Sequence, residues 1–262
     1  MASRRATRQG SATISQDEGR NRRRSHSRSQ SRSHDHVSFP ALPFASCFSY
    51  SPGGRGPVCD EGRSLCARLK SADRVWLPRL AARVWLEAVG HGRFPWALGP
   101  RVVLVPVPGS SAVQGSDWVG ERLACCLQQL GLAAQVWPVL QRRYAVRKSA
   151  YAAAGERPSV REHYASFSAE GAVRDLASMY QAASTGEPFC APVLRLTLID
   201  DVITRGRTLL AAAARVREVF PLAQIHAFAL VRTLASDELL RQVLDPCEGE
   251  VCWVSDDARR RP

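Results

Sequence analysis

Residues 196–209 join an apolar strand directly to two adjacent carboxylates, an arrangement that few folds can hold. They read Leu-Thr-Leu-Ile-Asp-Asp-Val-Ile-Thr-Arg-Gly-Arg-Thr-Leu, so the strand ends at Asp200 and Asp201, a short loop follows, and a helix-like run begins. Burying two like charges side by side is costly unless a ligand or a metal compensates. The segment therefore predicts a binding site, and the alternative is a surface turn with two solvated aspartates.

The loop between the carboxylates and the helix has the chemistry of a phosphate site. Its backbone N–H groups and the positive end of the helix dipole would face an anion. Thr204 and Thr208 add hydroxyls, and Gly206 lets the backbone approach the anion closely. Asp200 and Asp201 can accept hydrogen bonds from sugar hydroxyls. Together these residues predict a sugar-phosphate site.

Strands and helices alternate along the chain, which predicts an α/β fold with a doubly wound parallel sheet. Apolar periodicity predicts strands at 101–107, 134–140, 193–200 and 225–231, and helices at 73–89, 116–130 and 207–219. In the first helix the face expected to pack inward consists of Trp76, Leu80, Val84, Trp85 and Val89. Ligands of such sheets bind beyond the carboxyl ends of the strands, so Asp200 and Gly109 are expected on the same rim.

Composition divides the chain into four parts. Residues 1–36 carry nine arginines and three acids, and hence +6 of the net charge of +12, with almost no apolar residues; they predict a disordered basic arm. Binding of nucleic acid or of an acidic partner by this arm is the alternative and is not favoured. Residues 37–95 are expected to be an irregular lead-in to residue 64 and then a helix, together a candidate hood. Residues 96–240 form the predicted core, and 241–262 a tail that frays from Asp256 onward.

The cysteines and the apolar runs indicate the cellular setting. Eight cysteines show no disulfide framework, and neither a signal peptide nor a run of about 18 apolar residues is visible, so we expect a cytoplasmic protein that does not cross a membrane. Free thiols are the expected state of Cys47, Cys59 and Cys66, with metal binding by the three as the alternative.

The segment around the paired acids resembles the phosphoribosyl-pyrophosphate (PRPP) motif of the type I phosphoribosyltransferases. That motif has four apolar residues, two acids, two apolar residues and then Thr-Thr-Gly-x-Thr; here Arg205 stands where the family has the second Thr. The resemblance implies a PRPP-binding segment in which Asp200 and Asp201 form the catalytic pair and hold the ribose 2′- and 3′-hydroxyls. Val202 and Ile203 are the apolar pair, and the implied 5′-phosphate loop is Thr204, Arg205, Gly206, Arg207 and Thr208.

A second segment resembles the ComF-like branch of this family. In this segment, Val105 to Pro108 precede a loop of small residues and a helix. The resemblance implies a pyrophosphate loop made of Pro108, Gly109, Ser110 and Ser111. It also implies a mobile flap within the basic segment 141–163, where Arg147 and Lys148 are the expected contacts to a leaving pyrophosphate and His163 is a further candidate. A solvated basic loop is the alternative for this segment.

The resemblance implies a phosphoribosyltransferase of nucleotide metabolism. It would bind PRPP, or a ribose 5-phosphate nucleotide, with Mg²⁺, and transfer the ribosyl 5-phosphate to a nitrogen nucleophile with release of pyrophosphate. Mg²⁺ would be held chiefly by oxygens of the ligand, without a dedicated set of protein ligands. The alternatives are a non-catalytic PRPP or nucleotide sensor, a competence-type accessory protein that assists DNA uptake, and a hydrolase of phosphoribosyl compounds. Whether the protein forms a homodimer is left open by the sequence.

Overall fold

The computed structural model describes residues 37–70, 75–112, 118–147, 157–169, 194–234 and 240–262. The predicted disordered arm, residues 1–36, lies outside the described residues. So does Lys148 of the predicted flap.

Nine strands are found in the described residues, and seven of them form one sheet. The sheet order is β3-β2-β6-β7-β1-β8-β9. Strands β3, β2, β6, β7 and β1 run parallel to their neighbours, while β8 and β9 are added antiparallel at one edge. The sheet strands are β1 Leu42–Tyr50, β2 Val102–Pro106, β3 Gln135–Val136, β6 Arg195–Ile203, β7 Gln224–Thr233, β8 Leu244–Val254 and β9 Asp257–Arg261; β4 Gln141–Arg142 and β5 Phe167–Ser168 pair separately.

The helices cover both faces of the sheet. They are α1 Pro57–Lys70, α2 Trp76–Trp85 with a π-helical turn Leu86–Gly90, α3 Val119–Gln129, α4 Val160–Ser166 and α5 Arg207–Val219. Helices α4 and α5 pack on one face, and α1, α2 and α3 pack on the other. None of the helices in the described part of the chain combines the length and the hydropathy needed to cross a membrane.

Alternating side chains of the central strands explain the two covered faces. In β2, Val103 and Val105 pack towards α5, whereas Val102 and Leu104 pack towards α2 and α3. Strand residues are therefore apolar on both sides, as expected of a parallel sheet covered on both faces. The predicted α/β architecture with a mostly parallel sheet is confirmed, and it is consistent with a Rossmann-like fold.

The two winding directions of the sheet separate at β2 and β6. The chain passes from β2 through α3 to β3 towards one edge, and from β6 through α5 to β7 towards the other. Helices α3 and α5 lie on opposite faces, and β2 and β6 end side by side, with Pro106 opposite Ile199. Such a switch point is the usual ligand site of an open α/β sheet. The prediction that Gly109 and Asp200 share one rim is confirmed.

Two stretches expected to be irregular are regular. Residues 37–64 were expected to be a lead-in, but β1 lies between β7 and β8 and α1 begins at Pro57. The tail from Asp256 was expected to fray, but β9 pairs with β8 along its length. Strand β1 is stabilised by pairing with strands far away in sequence, which outweighs its weak local propensity. Strand β9 forms a hairpin with β8, with two residues between them.

Two elements differ in detail from their predictions. The apolar face of α2 consists of Leu77, Leu80, Ala81 and Val84, so the expectation that Trp85 and Val89 face inward is wrong; they are 39% and 56% exposed. The strand predicted at 134–140 is only two residues long. The motif strand, in contrast, is longer than expected and continues through both aspartates to Ile203.

Candidate functional site

A cleft of about 330 Å³ opens at the carboxyl ends of β1, β6 and β7. This volume is in the range of small-molecule sites. Every residue from Asp200 to Thr208 lines it, so the structure brings the whole predicted PRPP motif to one place. The other lining residues come from the ends of neighbouring elements: Tyr50, Pro52, Lys70, Arg157, His163, Leu209 and Thr233.

The two aspartates of the motif strand both line the cleft. The Asp200 carboxylate accepts a hydrogen bond from the backbone N–H of Asp201 at 2.9 Å, and the Asp201 carboxylate accepts one from Val202 at 2.8 Å. Burial, strengthened by the neighbouring charge of Asp201, raises the pKa of Asp200 well above its ordinary value, and Arg142 opposes this only in part. Asp200 is therefore a carboxyl group that a hydrogen-bond donor or a cation in the cleft would stabilise in its charged form.

The loop after the aspartates depends on a glycine in the left-handed region. Gly206 has a φ of 84° and directly precedes α5, so the first turn of that helix presents its N–H groups to the cleft. A Cβ atom on Gly206 would lie 2.6 Å from both Cγ atoms of Val251 on β8. On the other side of the loop, the hydroxyls of Thr204 and Thr233 are 3.1 Å apart. The loop is thus held by β7 and β8 in a shape that suits an anion.

The two arginines of the loop meet at one carboxylate. Arg207 donates to Asp257 on β9 through Nε and Nη2, at 2.5 and 2.6 Å, and Arg205 reaches the same carboxylate at 3.1 Å. Arg207 also donates through Nη1 to the carbonyl oxygens of Arg157 and Pro158. Its side chain is 17% exposed, against 56% for Arg205. Arg207 therefore fixes the loop to its surroundings, while Arg205 keeps much of its guanidinium at the open side of the cleft.

A buried polar network lies behind His163, which lines the cleft. Arg142 of β4 donates to the carbonyl oxygen of Gly109 and to the hydroxyl of Ser166, and its Nη2 lies 3.2 Å from Nδ1 of His163. The Nε2 atom of His163 lies 3.5 Å from the Thr208 hydroxyl. This network connects the loop after β2, the β4–β5 pair and the motif helix.

The predicted pyrophosphate loop and flap lie beside the cleft. Pro108, Gly109, Ser110 and Ser111 end β2 on the same rim, but they are not among the residues that line this cleft. The carbonyl oxygen of Ser110 accepts from the backbone N–H of Val146 at 2.9 Å, which ties the flap segment to this loop. Arg147 is exposed, and its charge acts on Glu162 of α4.

The seven cysteines in the described part of the chain are not among the residues that line the cleft. Cys47, Cys59 and Cys66 are buried thiols, and Cys47 and Cys66 pack in the core between the sheet and α1 and α2. Burial raises the pKa of both Cys47 and Cys66 to about 12. Across the described ranges, no three His, Cys, Asp or Glu side chains are grouped as a metal site.

Sequence reasoning did not find several residues of the site. Asp257 was assigned to a frayed tail, and Tyr50 to an irregular lead-in, whereas both lie against the motif loop or cleft. Arg142 lies in the basic segment 141–163, where nothing in the sequence distinguishes it from the other cations. The arginines Arg205 and Arg207 in the motif indicate that a carboxylate lies nearby, and this signal could have led to Asp257. Nothing in the local sequence specifies which acid it is.

Comparison with known proteins leaves the site to be judged on its own geometry. No protein-family model matches the chain, and no curated protein matches it.

Proposed function

We propose that this protein binds PRPP, or a ribose 5-phosphate nucleotide, in the cleft at the end of β6, and that its core is of the type I phosphoribosyltransferase kind. The observation that carries the proposal is that one cleft contains all nine residues of the motif, from Asp200 to Thr208. The loop and the first turn of α5 supply N–H groups and two threonine hydroxyls for the 5′-phosphate.

The aspartates would take the ribose in this arrangement. Asp200 is driven towards its protonated form by burial and by Asp201, so two ribose hydroxyls that donate to the pair would offset the repulsion between the charges. Ligand binding would then lower the pKa of Asp200 and release a proton at pH values where that group is partly protonated. The hydrogen bonds from the sugar would thereby offset the repulsion between the two neighbouring carboxylates.

The residues present fit a magnesium ion that arrives with the ligand. Mg²⁺ is usually held by one or two carboxylates together with substrate oxygens and water, and Asp200 and Asp201 offer carboxylate oxygens in the cleft. The ion would neutralise charge on the pyrophosphate group. The protein's own contribution would be to orient the ribose and to hold the 5′-phosphate while the bond from C1′ to pyrophosphate breaks and a bond to the acceptor nitrogen forms.

A non-catalytic sensor is the second candidate, and one observation favours it. The loop of Gly109 and Ser110 does not line the cleft, so its N–H groups are not placed there to bind pyrophosphate. A protein with this loop would bind a 5′-monophosphate without activating pyrophosphate as a leaving group. Release of pyrophosphate from PRPP, measured with a panel of nitrogen acceptors, separates the two candidates.

Titration calorimetry with PRPP and Mg²⁺ tests the binding proposal. Replacing both aspartates, Asp200→Asn with Asp201→Asn, is expected to weaken binding by about 2–4 kcal/mol, because hydrogen bonds to charged groups are lost. The matched control is Asp60→Asn on α1, whose side chain is 70% exposed and outside the cleft lining. It should bind as the wild type does. Equal affinity in the wild type and the double variant would refute the proposal.

A further inference from the structure

We propose that His163 is an anion-binding residue of the cleft, whose Nε2–H donates a hydrogen bond to an oxygen of the bound phosphate. The inference rests on the proposed function for identifying that anion as the 5′-phosphate. The tautomer and the orientation of the imidazole ring follow from the contacts of His163 alone.

Its contact with Arg142 fixes which nitrogen of His163 carries the hydrogen. A guanidinium group has only donors, so the Nη2 atom of Arg142, 3.2 Å from Nδ1, requires Nδ1 to accept. In a neutral imidazole the hydrogen then resides on Nε2. Arg142 is itself held by the Gly109 carbonyl oxygen and the Ser166 hydroxyl, so it cannot turn away from Nδ1.

The Nε2–H group faces the motif loop, where its hydrogen-bond partner, the Thr208 hydroxyl, is distant. His163 is only 4% exposed, yet it lines the cleft beside Thr208. The Thr208 hydroxyl is 3.5 Å away, at the outer limit of a hydrogen bond. A buried donor without a close acceptor is unfavourable, and an oxygen of a ligand on the motif loop would satisfy it.

The charges around His163 keep it neutral. Burial, with the charge of Arg142 adding to it, lowers the pKa of His163 to about 4, and Arg207 of α5 acts in the same direction while Glu162 on its own helix opposes. The residue therefore stays a neutral donor at physiological pH. Arg142 lies directly behind it and polarises the ring, so its positive charge adds to that of the cationic side chains that line the cleft.

Nitrogen NMR of the full-length protein tests the tautomer directly. The ¹⁵N shifts of His163 should report a protonated Nε2 and an unprotonated Nδ1 between pH 8 and pH 6. Addition of inorganic phosphate, and separately of ribose 5-phosphate, should shift the Nε2–H resonance downfield. A hydrogen on Nδ1, or an Nε2–H resonance that neither ligand moves, would overturn the proposal.

Two amide substitutions separate anion binding from a structural role. His163→Gln places an amide N–H near the position of Nε2 but loses the acceptor at Nδ1, whereas His163→Asn keeps an acceptor near Nδ1 and loses the donor. We expect His163→Gln to stay close to wild-type affinity for ribose 5-phosphate, and His163→Asn to lose about ten-fold or more. Urea unfolding shows that each variant is folded before its affinity is compared.

The opposite order, with His163→Asn binding well and His163→Gln poorly, would show that His163 only positions Arg142. Failure of this inference is distinct from failure of the proposed function. If the wild type binds inorganic phosphate at His163 but neither ribose 5-phosphate nor PRPP, the function fails and the inference stands. If PRPP binds and depends on Asp200 and Asp201 but not on the donor of residue 163, the inference fails and the function stands.

Discussion

Gly206 is the residue on which the shape of the phosphate loop depends most. Its φ of 84° is unfavourable for any residue with a Cβ atom, and the space where that atom would lie is filled by Val251. Both constraints act at the junction between the motif strand and α5. A side chain there would have to displace either the loop or β8.

Gly206→Ala is therefore expected to destabilise the protein by about 2–4 kcal/mol, the sum of a positive-φ penalty and an overpacked contact. Gly131→Ala is the matched control, because Gly131 has a φ of 76° but nothing within 4 Å of its Cβ position. That change should cost only about 1–2 kcal/mol. Urea denaturation of both variants measures the difference, and equal losses would show that the contact with Val251 yields without cost.

At the scale of elements, β9 is attached to the motif helix through one ion-pair cluster. Burial alone would raise the pKa of Asp257, but hydrogen bonds from Arg207, from the backbone of Ala258 and from Arg205 together hold it below its ordinary value. A lowered carboxyl pKa contributes stability above the unfolded pKa, and this contribution is lost as the pH falls through the folded one. At neutral pH the cluster therefore ties β9 to the start of α5.

The two arginines are expected to contribute unequally to this attachment. Arg207→Ala removes a bidentate, largely buried contact and should cost about 2–3 kcal/mol. Arg205→Ala removes one exposed contact and should cost less than about 1 kcal/mol. Thermal and urea unfolding at pH 7 provide the comparison. A larger loss for Arg205→Ala would mean that Arg205, and not Arg207, holds β9 against the loop.

The sequence predicts elements whose apolar pattern is strong and local. Helix 207–219 is found with both bounds as predicted, because a glycine precedes it and Pro221 follows it. Strand β1 was missed because Leu-Pro-Phe-Ala-Ser-Cys-Phe-Ser-Tyr alternates weakly and gains its stability from β7 and β8. The motif loop, like helix 207–219, follows from a local sequence pattern. Asp257 and the Arg142 network instead depend on contacts between residues far apart in sequence.

At the scale of the whole molecule, the cleft joins parts of the chain that fold together only in the complete sheet. The parallel strands supply Tyr50, Asp200 and Thr233, and α4 supplies His163. Asp257 of the antiparallel edge holds the lining residue Arg207. Burial is the first cause of the raised pKa of Tyr50 and Asp200 and of the lowered pKa of His163. The pH dependence of the free energy of unfolding therefore reports whether these groups are brought together in the folded protein.

His163 and Asp200 should affect that dependence with opposite signs. The pKa of His163 is lowered from 6.5 to about 4, so the unfolded chain takes up a proton before the folded one does, and stability is lost as the pH falls from 6.5 through about 4. This loss amounts to up to about 3 kcal/mol. The pKa of Asp200 is raised instead, so the folded state holds its proton longer, and stability is lost as the pH rises from 3.8.

Urea unfolding of three proteins between pH 4 and pH 8 checks both signs. Relative to the wild type, His163→Gln should lose less stability on acidification below pH 6.5, because the group that takes up the proton is absent. Asp200→Asn should gain stability relative to the wild type as the pH rises from 4, because the buried charge no longer forms. If the difference in unfolding free energy between each variant and the wild type does not vary with pH, neither group is desolvated in the folded protein. If the two differences change with pH in the same direction, at least one of the two assignments is wrong. Since the comparison uses the change with pH and not the absolute stability, a constant cost of either substitution does not affect it.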